Sequence, residues 1–247
     1  MKHIIHFILF CSLFLGCKSD PTSITVNKRI YGKVALYNDE GMLLEDNSGV
    51  QVSLVSSTKS SSTVTTYDGS WVIENLSTDL YTIEFSKHGY FSTRYFNIKI
   101  EEEKDFRFSI ETLPAISPVV VEYLEISKID SSATLHITGS ISKADSLKRV
   151  VEIIFSKEPF IDMRHIPYLF SWYAYLDPDS TNFSSCFPAE YYHAKYKFQT
   201  GTKLYCAAFP YPRKSWSGCE YYNDSTKLYE VGNIGLKLSN IVTVIAP

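Results

Sequence analysis

Short stretches of alternating apolar and polar residues, separated by turn residues, make up most of this chain. In Gly49–Val55, for example, Val50, Val52 and Leu54 occupy every second position, which places them on one face of a strand. Between residues 28 and 113 no stretch shows the period of a sustained helix. The chain also contains eighteen tyrosines and fifteen phenylalanines, which favour strands. An all-β fold built from antiparallel β-sandwiches is therefore predicted.

The first sandwich is predicted over residues 28–113. Its strands are separated by turn residues, most clearly at Asn38–Gly41 and at Asp68-Gly69, where a hairpin needs a positive φ angle. Ser56–Ser62 is rich in hydroxyl side chains and is predicted to form a polar loop that does not pack. The segments between these turns are predicted to form a small antiparallel meander.

Several motifs of this region occur in the order seen in the carboxypeptidase regulatory-like domain. They are Gly32-Lys33-Val34, Gly49-Val50-x-Val52, Thr66-x-Asp68-Gly69-Ser70-x-Val72-Ile73, Leu76, Leu80-Tyr81-Thr82-Ile83 and Gly89-Tyr90. The region resembles that family, although Asp79 stands where the family usually has glycine. The resemblance implies a seven-stranded, transthyretin-like sandwich with no catalytic residues of its own. It also implies a spacer or interaction role, as at the front of many Bacteroidetes outer-membrane proteins.

A second sandwich is predicted over residues 119–247, after a stiff linker at residues 114–118 that carries Pro114 and Pro118. Its spacing is typical of an immunoglobulin-like sandwich that is one strand short. Residues 158–188 do not fit this spacing and are predicted to form an insertion or an irregular crossover. The six predicted strands are Val119–Ile129, Ala133–Ile141, Val150–Phe155, Tyr191–Phe198, Leu204–Phe209 and Leu238–Val244.

Three motifs of the second region resemble a bacterial fibronectin type III-like domain. They are Thr134-Leu135-x-Ile137-x-Gly139, Gly201-Thr202-Lys203-Leu204-Tyr205-Cys206-Ala207-Ala208 and Gly235-x-x-x-Ser239-Asn240-Ile241-Val242-Thr243-Val244. In the second motif Leu204, Cys206 and Ala207 replace the residues that the family commonly has. The resemblance implies an immunoglobulin-like sandwich and no catalytic site.

The N-terminus has the parts of a secretory signal. Lys2 precedes an apolar run, Ile4–Leu15, that is too short to span a bilayer, and Gly16-Cys17 follows it. This junction resembles the lipobox of bacterial lipoproteins. The resemblance implies removal of residues 1–16, diacylation of Cys17, and residues 17–27 as a tether in the cell envelope, at the outer membrane of a Gram-negative bacterium. An ordinary secretory signal with an incidental cysteine remains the alternative.

Charge excludes one class of partner. Removal of residues 1–16 takes away one of the 24 basic residues, Lys2, and none of the 27 acidic ones, which leaves a formal charge of −4. A mildly acidic chain without a basic run argues against nucleic acid as a partner. Membrane attachment would therefore depend on the lipid anchor.

Three cysteines remain in the second region, Cys186, Cys206 and Cys219, and an odd number allows at most one intramolecular pair. If Leu204, Cys206 and Ala208 point inward together, Cys206 is a core residue. In the fold implied by the resemblance, Cys186 and Cys219 lie on loops at the same end of the sandwich, and a bridge between them is predicted. Three reduced thiols remain the alternative.

No catalytic pattern is complete. Ser140-Ile141-Ser142-Lys143 matches the short SxxK pattern of penicillin-binding enzymes but lacks its partner motifs. Asp177-Pro178-Asp179 offers oxygens to a cation but lacks the glycine and glutamate of a calcium loop, which favours a solvated turn. We therefore predict a protein that is not an enzyme and has no metal or cofactor.

The aromatic residues of segment 210–222 are the predicted ligand site. Tyr211, Trp216 and Tyr221 would offer flat faces that stack on sugars or anchor a protein. In the alternative, Tyr221 and Tyr222 are strand residues and Trp216 covers the edge of the sandwich. Two functions are predicted as alternatives. One is a non-catalytic interaction or spacer module of a membrane-anchored envelope lipoprotein, and the other is a glycan-binding surface lipoprotein that assists polysaccharide capture. A row of exposed aromatics would favour the second.

Overall fold

The computed structural model describes residues 28–101, 105–129, 133–144, 146–160, 165–188, 199–212, 220–223, 226–233 and 237–246. The predicted signal, Cys17 and the tether lie outside these residues. The described part is all-β, as predicted, and none of it forms a helix that is long and apolar enough to cross a membrane. Its strands are β1 (Lys28–Tyr37), β2 (Gln51–Val55), β3 (Ser60–Val64), β4 (Ser70–Leu76), β5 (Asp79–Ser86), β6 (Phe91–Ile100), β7 (Phe106–Arg107), β8 (Glu111–Pro114), β9 (Val121–Lys128), β10 (Thr134–Ile141), β11 (Arg149–Ser156), β12 (His165–Tyr168), β13 (Phe170–Leu176), β14 (Asn182–Pro188), β15 (Lys203–Pro210), β16 (Glu220–Asn223), β17 (Leu228–Asn233) and β18 (Val242–Ile245).

The first sandwich packs one sheet, in which β1 lies between β4 and the β7/β8 edge, against a second sheet in the order β6-β5-β2-β3. Alternate residues of each strand point into the core, as Val50, Val52 and Leu54 do on β2. Unlike the antiparallel expectation, β7 and β8 both pair with β1 in parallel. Their registers differ by one residue, since Tyr31 faces Arg107 whereas Val34 faces Glu111. β7 and β8 are therefore two parts of one edge, separated by a bulge.

The predicted polar loop Ser56–Ser62 is wrong in its second half. Ser60–Val64 forms β3, which pairs with β2 at the end of its sheet. Its side chains are exposed or half-buried, because an edge strand is held by backbone hydrogen bonds on one side and needs few core contacts. Hydroxyl-rich composition therefore did not exclude a strand at this position.

Among the described residues the second sandwich has seven antiparallel strands, in sheets of order β14-β10-β9 and β13-β11-β15-β18. The prediction that residues 158–188 form an insertion is wrong, because β13 and β14 are core strands of this sandwich. Phe170, Phe183 and Phe187 are all buried in its core. The predicted strand Tyr191–Phe198 lies outside the described residues.

Three phenyl rings from different strands form the centre of this core. Phe155 of β11 stacks on Phe170 of β13, with ring centroids 4.6 Å apart and planes 15° apart. Phe187 of β14 stacks against both, at 5.3 and 5.5 Å. Trp172 meets Phe187 edge-on and donates its Nε1 hydrogen to Ser185 Oγ at 2.8 Å. β14 thus joins the two sheets through one aromatic stack.

The two sandwiches contact each other through a sheet extension and a small apolar cluster. Gly232 of β17 pairs with Ser92 of β6, so the β6-β5-β2-β3 sheet continues into β17, β12 and β16. Phe91 of the first sandwich packs against Phe209 of the second, with ring centroids 6.1 Å apart. The cluster continues to Tyr168 on β12.

A buried ion pair lies beside the predicted linker. Arg149 is only 2% exposed, and its guanidinium donates to both carboxylate oxygens of Asp39, at 3.3 and 3.0 Å, and to Ser117 Oγ at 2.8 Å. Ala115 N donates to Tyr37 O and Ile116 N donates to Gly89 O. The segment 114–118 is thus hydrogen-bonded to the first sandwich, while its role as a domain boundary stays a prediction.

Candidate functional site

A cavity of about 890 Å³ lies on the first sandwich. It is lined by side chains of β1, β3 and β4 and by the bulged segment 107–110. Alternation along β1 builds its centre, because Ile30 and Val34 point into the core while Arg29, Tyr31 and Lys33 lie on the opposite face. Strand pairing therefore turns every second residue of β1 into cavity lining.

Residues from neighbouring strands complete a row across this face. Tyr31 lies opposite Val72 of β4 on one side and opposite Arg107 of β7 on the other. Val72 is 42% exposed, and Ile110, at the bulge, is 66% exposed. The cavity therefore combines apolar side chains with cations, a composition found in ligand-binding clefts.

The charges of the cavity are held in place by ion pairs. Arg29 Nε donates to Asp105 Oδ2 at 2.6 Å, an interaction that raises the pKa of Arg29, and the guanidinium lies 5.5 Å from the Tyr31 ring centroid. Lys33 Nζ lies 2.8 Å from Asp68 Oδ2. The hydrogen bond from Lys33, followed by those from Ser70 and Thr66, lowers the pKa of Asp68. Asp68 is therefore ionised and fixes Lys33 beside the turn.

The described charges at the cavity balance. Arg29, Lys33 and Arg107 face three carboxylates: Glu74 of the lining, and the ion-pair partners Asp105 and Asp68. Arg107 is exposed, and no residue of the described ranges forms an ion pair with it. Arg107 is therefore the lining cation that is left without an ion-pair partner among the described residues.

The floor of the cavity is formed by buried aromatic residues. Trp71 is 4% exposed and meets Phe85 edge-on in the core, while Phe108 is also buried. A Cβ atom added to Gly32 would lie 3.1 Å from both Trp71 and Phe108, so glycine lets these side chains close over β1. Their rings stabilise the core and are not presented as open stacking surfaces.

The residues predicted as a ligand site lie elsewhere. Tyr211 follows β15 and is half-buried, its N donates to Val150 O at 2.8 Å, and its ring meets Tyr173 edge-on at 5.5 Å. Trp216 lies outside the described residues, and so does the side chain of Tyr221, whose backbone pairs with Glu230. Binding by segment 210–222 therefore stays a prediction.

The predicted Cys186–Cys219 bridge is corrected by the structure. Cys186 is a free, exposed thiol, and Cys219 lies outside the described residues. The reason is that Cys186 lies within β14, opposite His136 of β10, and not on the loop on which the prediction depended. Cys206 is fully buried between Leu204 and Ala208, as predicted, and burial raises the pKa of its thiol.

The described residues hold no group of three or more histidine, cysteine, aspartate or glutamate side chains suited to a metal ion. Asp177 and Asp179 lie in a turn between β13 and β14, where Asp179 has a φ angle of 61° and Ser180 N donates to Asp177 O. That the protein is not an enzyme stays a prediction.

The sequence analysis missed the cavity, although one signal for it exists. Arg29-x-Tyr31-x-Lys33 places two cations and an aromatic ring on one face of a predicted strand. The position of Arg107 beside Tyr31 was not readable, because it depends on a parallel pairing between residues far apart in the chain.

No protein-family model and no curated protein matches the chain. Among solved structures it is similar to a proposed carbohydrate-binding protein from Bacteroides uniformis, at 10% identity over 88% of this chain and 98% of the other, with a TM-score of 0.33. A DUF3823 family protein from Bacteroides ovatus shows 14% identity, coverage of 90% and 100%, and a TM-score of 0.30. The chain spans 58% of the length of a matching chain of a cohesin–X-dockerin complex from Acetivibrio cellulolyticus, with 36% of this chain covered at 19% identity and a TM-score of 0.30. Similarities at this level assign neither a ligand nor a family.

Proposed function

We propose that this protein is a non-catalytic interaction module of the cell envelope and that the cavity on the first sandwich is its ligand surface. The observation that carries the proposal is the row Val72–Tyr31–Arg107 that lines a cavity of about 890 Å³. Exposed apolar and cationic side chains in one concave surface are typical of a binding site.

The composition of the cavity favours a protein ligand over a glycan. Sugar binding commonly uses aromatic faces, but Trp71 and Phe108 are buried in the core. Tyr31 is half-buried, and Arg29 lies over its ring, so one face of this aromatic side chain is already in contact with a cation. Binding of a glycan to the same cavity is the alternative function.

Attachment to the membrane through a lipid on Cys17 forms part of the proposal. It is supported by the apolar run Ile4–Leu15 and the Gly16-Cys17 junction. In cells, the Cys17→Ser variant should leave the detergent phase or keep its signal uncut. Unchanged detergent partitioning of a processed Cys17→Ser protein would contradict the anchor.

Site-specific photo-crosslinking in intact envelopes tests the ligand surface. A photoreactive residue at Ile110, on the cavity rim, should capture an envelope protein, and one at Ile245 on β18 should not, although both positions are exposed. Arg107→Glu should abolish the capture at position 110. The matched control is Lys203→Glu, since Lys203 also lies over a tyrosine ring, at 4.9 Å from Tyr205, but on the second sandwich.

Three outcomes would contradict the proposal. They are equal capture at both positions, capture that survives Arg107→Glu, and absence of any captured protein. A glycan array run on the same protein separates the alternative, because retention of a glycan that is lost with Arg107→Glu would assign the cavity to sugar binding.

A further inference from the structure

We infer that the edge strand β8 is a proton-dependent switch, in which ionisation of Glu111 moves the bulge along the strand and exchanges Glu111 and Ile110 between the core and the cavity. The effect of this exchange on a ligand rests on the proposed function, because it concerns the rim of the same cavity. The switch itself depends on three features of the described residues: a buried carboxyl held by neutral groups, an exposed apolar side chain next to it, and a bulge between them and β7.

The burial of residues 110 and 111 is the reverse of what their polarity favours. Ile110 is 66% exposed on the cavity rim, whereas Glu111 is 3% exposed. Glu111 lies opposite Val34 of β1, and its side chain points into the core on the same side as that of Val34. An exposed isoleucine and a buried carboxyl each cost free energy relative to the opposite arrangement.

Neutral groups hold the Glu111 carboxyl. The Tyr95 hydroxyl of β6 donates to Oε2 at 2.6 Å, and the backbone amide of Thr112 is a second donor. Burial raises the pKa of the carboxyl to about 7, and no ion pair of the described residues includes it. The charged side chains of the surrounding elements have other partners or face solvent: Arg29 pairs with Asp105 and Lys33 with Asp68 on the opposite face of β1, Arg94 pairs with Glu84, Lys99 pairs with Glu101, Lys87 lies over the Tyr90 ring, and Arg107 is exposed.

The bulge lies directly before Glu111. The registers of β7 and β8 on β1 differ by one residue, so the extra residue lies between Phe108 and Glu111, which are both buried. Ser109 and Ile110 therefore stand together opposite Lys33, and both are exposed. Two residues against one is the arrangement of a β-bulge, and it keeps Ile110 out of the core.

A second position is open to the bulge, two residues further along the strand. If the bulge forms at Glu111 and Thr112, Ile110 takes the inward place opposite Val34, and Glu111 turns to the cavity side. Leu113, which is 0% exposed, keeps its inward place, and so does the linker behind it. Moving the bulge thus replaces one acidic side chain in the core by one apolar side chain and leaves the core residues on either side in place.

Protonation selects between the two positions. In the observed position the Glu111 carboxyl has a pKa of about 7, whereas in the second position it is exposed and ionises at about pH 4.3. As the pH rises between these values, the exposed form ionises first, so each pH unit favours the second position about tenfold, or roughly 500-fold in all. The observed position should therefore predominate in acid, and the second position should predominate near and above neutral pH.

The exchange would change the chemistry of the cavity rim. In acid, Ile110 supplies exposed apolar surface there. Near neutral pH, a carboxylate would replace it on the face that carries Lys33. A ligand that covers Ile110 should therefore bind in acid and be released as the pH rises, which makes the edge a local switch that acts on the ligand surface.

Hydroxyl-radical footprinting of the intact protein, read by mass spectrometry at about pH 5 and about pH 8, tests the switch. As the pH rises, labelling of Ile110 should fall from the level of Ile245, which is 55% exposed, towards that of Leu113, which is 0% exposed. Leu113 should stay protected at both values. Glu111→Gln should keep Ile110 labelled at both values. Glu125→Gln, at an exposed carboxyl of the second sandwich, is the matched control and should leave the change intact.

A further variant and a capture experiment extend the test. Tyr95→Phe removes the donor that holds the carboxyl in the core, so the change in labelling should move to lower pH by roughly one unit. A photoreactive residue at Val72, which lines the cavity and is 42% exposed, reports on the ligand. It should capture an envelope protein at about pH 5 and much less at about pH 8, and Glu111→Gln should make capture equal at both.

Four results would overturn the inference. Labelling of Ile110 that does not change with pH would exclude the switch, and a gain of labelling at Leu113 would show that β8 detaches instead. Retention of the change in Glu111→Gln would assign it to another group. A changed footprint with equal capture at Val72 would show that the bulge moves without acting on the ligand surface. If the footprint changes as expected while no protein is captured at either pH, the switch stands and the proposed function is wrong.

Discussion

In the first sandwich Trp71 meets Phe85 at an interplanar angle of 69°, whereas in the second Phe155 and Phe170 stack at 15°. The two sandwiches also differ in how their strands pair. In the second sandwich the middle strands β10 and β11 each have two antiparallel neighbours. In the first, β3 and β4 both end their sheets, and one edge is parallel and bulged. The second sandwich is thus antiparallel throughout its described strands and contains an aromatic stack, while the first has a parallel, bulged edge and two end strands, β3 and β4, beside a cavity.

This difference indicates where each sandwich resists change. In the first sandwich β3 and β4 pair with different sheets and are joined by the turn at Asp68-Gly69, so Gly69 should be critical there. In the second sandwich the ring of Phe183 on β14 lies against Gly139 of the paired strand β10, so Gly139 should be critical there. The following predictions test this comparison, beginning with the largest effect.

Alanine at either glycine should destabilise its own sandwich by about 4 kcal/mol or more. At Gly69, where φ is 79°, an added Cβ would overlap Val34 O, and at Gly139 it would overlap Tyr123 O and the Phe183 ring. Backbone oxygens cannot move aside without breaking the ladder that holds them. Native-state hydrogen exchange with mass spectrometry would show which sandwich loses protection.

Two other glycines serve as matched controls. Gly89 in the first sandwich and Gly201 in the second also have positive φ angles, 80° and 88°, but nothing lies within 4 Å of an added Cβ. Alanine at these positions should therefore cost only the conformational strain, about 1 to 2 kcal/mol. Equal loss of protection in both sandwiches from Gly69→Ala would show that they unfold as one unit and that the comparison does not separate them.

Sequence patterns predicted the strands of the first sandwich better, for a physical reason. Its strands end at glycines with positive φ, such as Gly41, Gly69 and Gly89, which are visible in the sequence. In β13, by contrast, aromatic residues occupy both faces, so the buried Phe170 and the exposed Tyr175 alternate in environment without alternating in polarity. Periodicity therefore could not identify that strand.

The stability of the two sandwiches should also differ in its dependence on pH. Glu111 on β8 is buried, and burial raises the pKa of its carboxyl to about 7, although the Tyr95 hydroxyl donates to Oε2 at 2.6 Å. In the unfolded chain the same carboxyl ionises near pH 4.3. Below that pH it is protonated in both states, and as pH rises to about 7 the unfolded state ionises first. The first sandwich should therefore lose roughly 3 kcal/mol of stability between about pH 4.5 and 7.5.

Urea denaturation across this pH range, read by hydrogen exchange of β8 peptides, would measure the loss. Glu111→Gln should remove the pH dependence while keeping an oxygen that accepts from Tyr95. Glu125→Gln is the matched control in the second sandwich, because the Tyr123 hydroxyl donates to Glu125 Oε2 at 2.7 Å on an exposed surface. An unchanged slope in Glu111→Gln would mean that another group causes the loss.

The cavity illustrates what sequence patterns omit. The outward positions of Arg29, Tyr31 and Lys33 follow from alternation along β1, which periodicity reveals. The separation of β3 from β4 does not follow from periodicity, because a predicted hairpin around Asp68-Gly69 implies a continuous β3–β4 ladder. Divergence of the two strands follows from their pairing with β2 and β1 in opposite layers, and that is a property of the assembled sandwich.

The smallest expected effect concerns two asparagines that replace missing backbone partners. Asn47 Oδ1 accepts from Leu36 N at 2.7 Å in the first sandwich, while its Nδ2 makes longer bonds to Leu44 O and Glu45 O, at 3.2 and 3.3 Å. Asn240 in the second accepts from Leu124 N at 2.8 Å and donates to Leu124 O at 2.9 Å. Alanine at either position should cost about 1 to 2 kcal/mol.

Substitution of either asparagine by aspartate separates the two roles of the amide, because aspartate keeps the acceptor oxygen and loses the donor. Asn47→Asp should be milder than Asn47→Ala, since its shortest bond, from Leu36 N, is retained. Asn240→Asp should be at least as destabilising as Asn240→Ala at neutral pH, because a carboxylate would face Leu124 O at the position of a 2.9 Å hydrogen bond. Lowering the pH below about 4 should reverse that excess, since a protonated carboxyl can donate again. Denaturation midpoints of the four variants decide the point: if both aspartates behave alike, the second sandwich depends on its side-chain donor no more than the first one does.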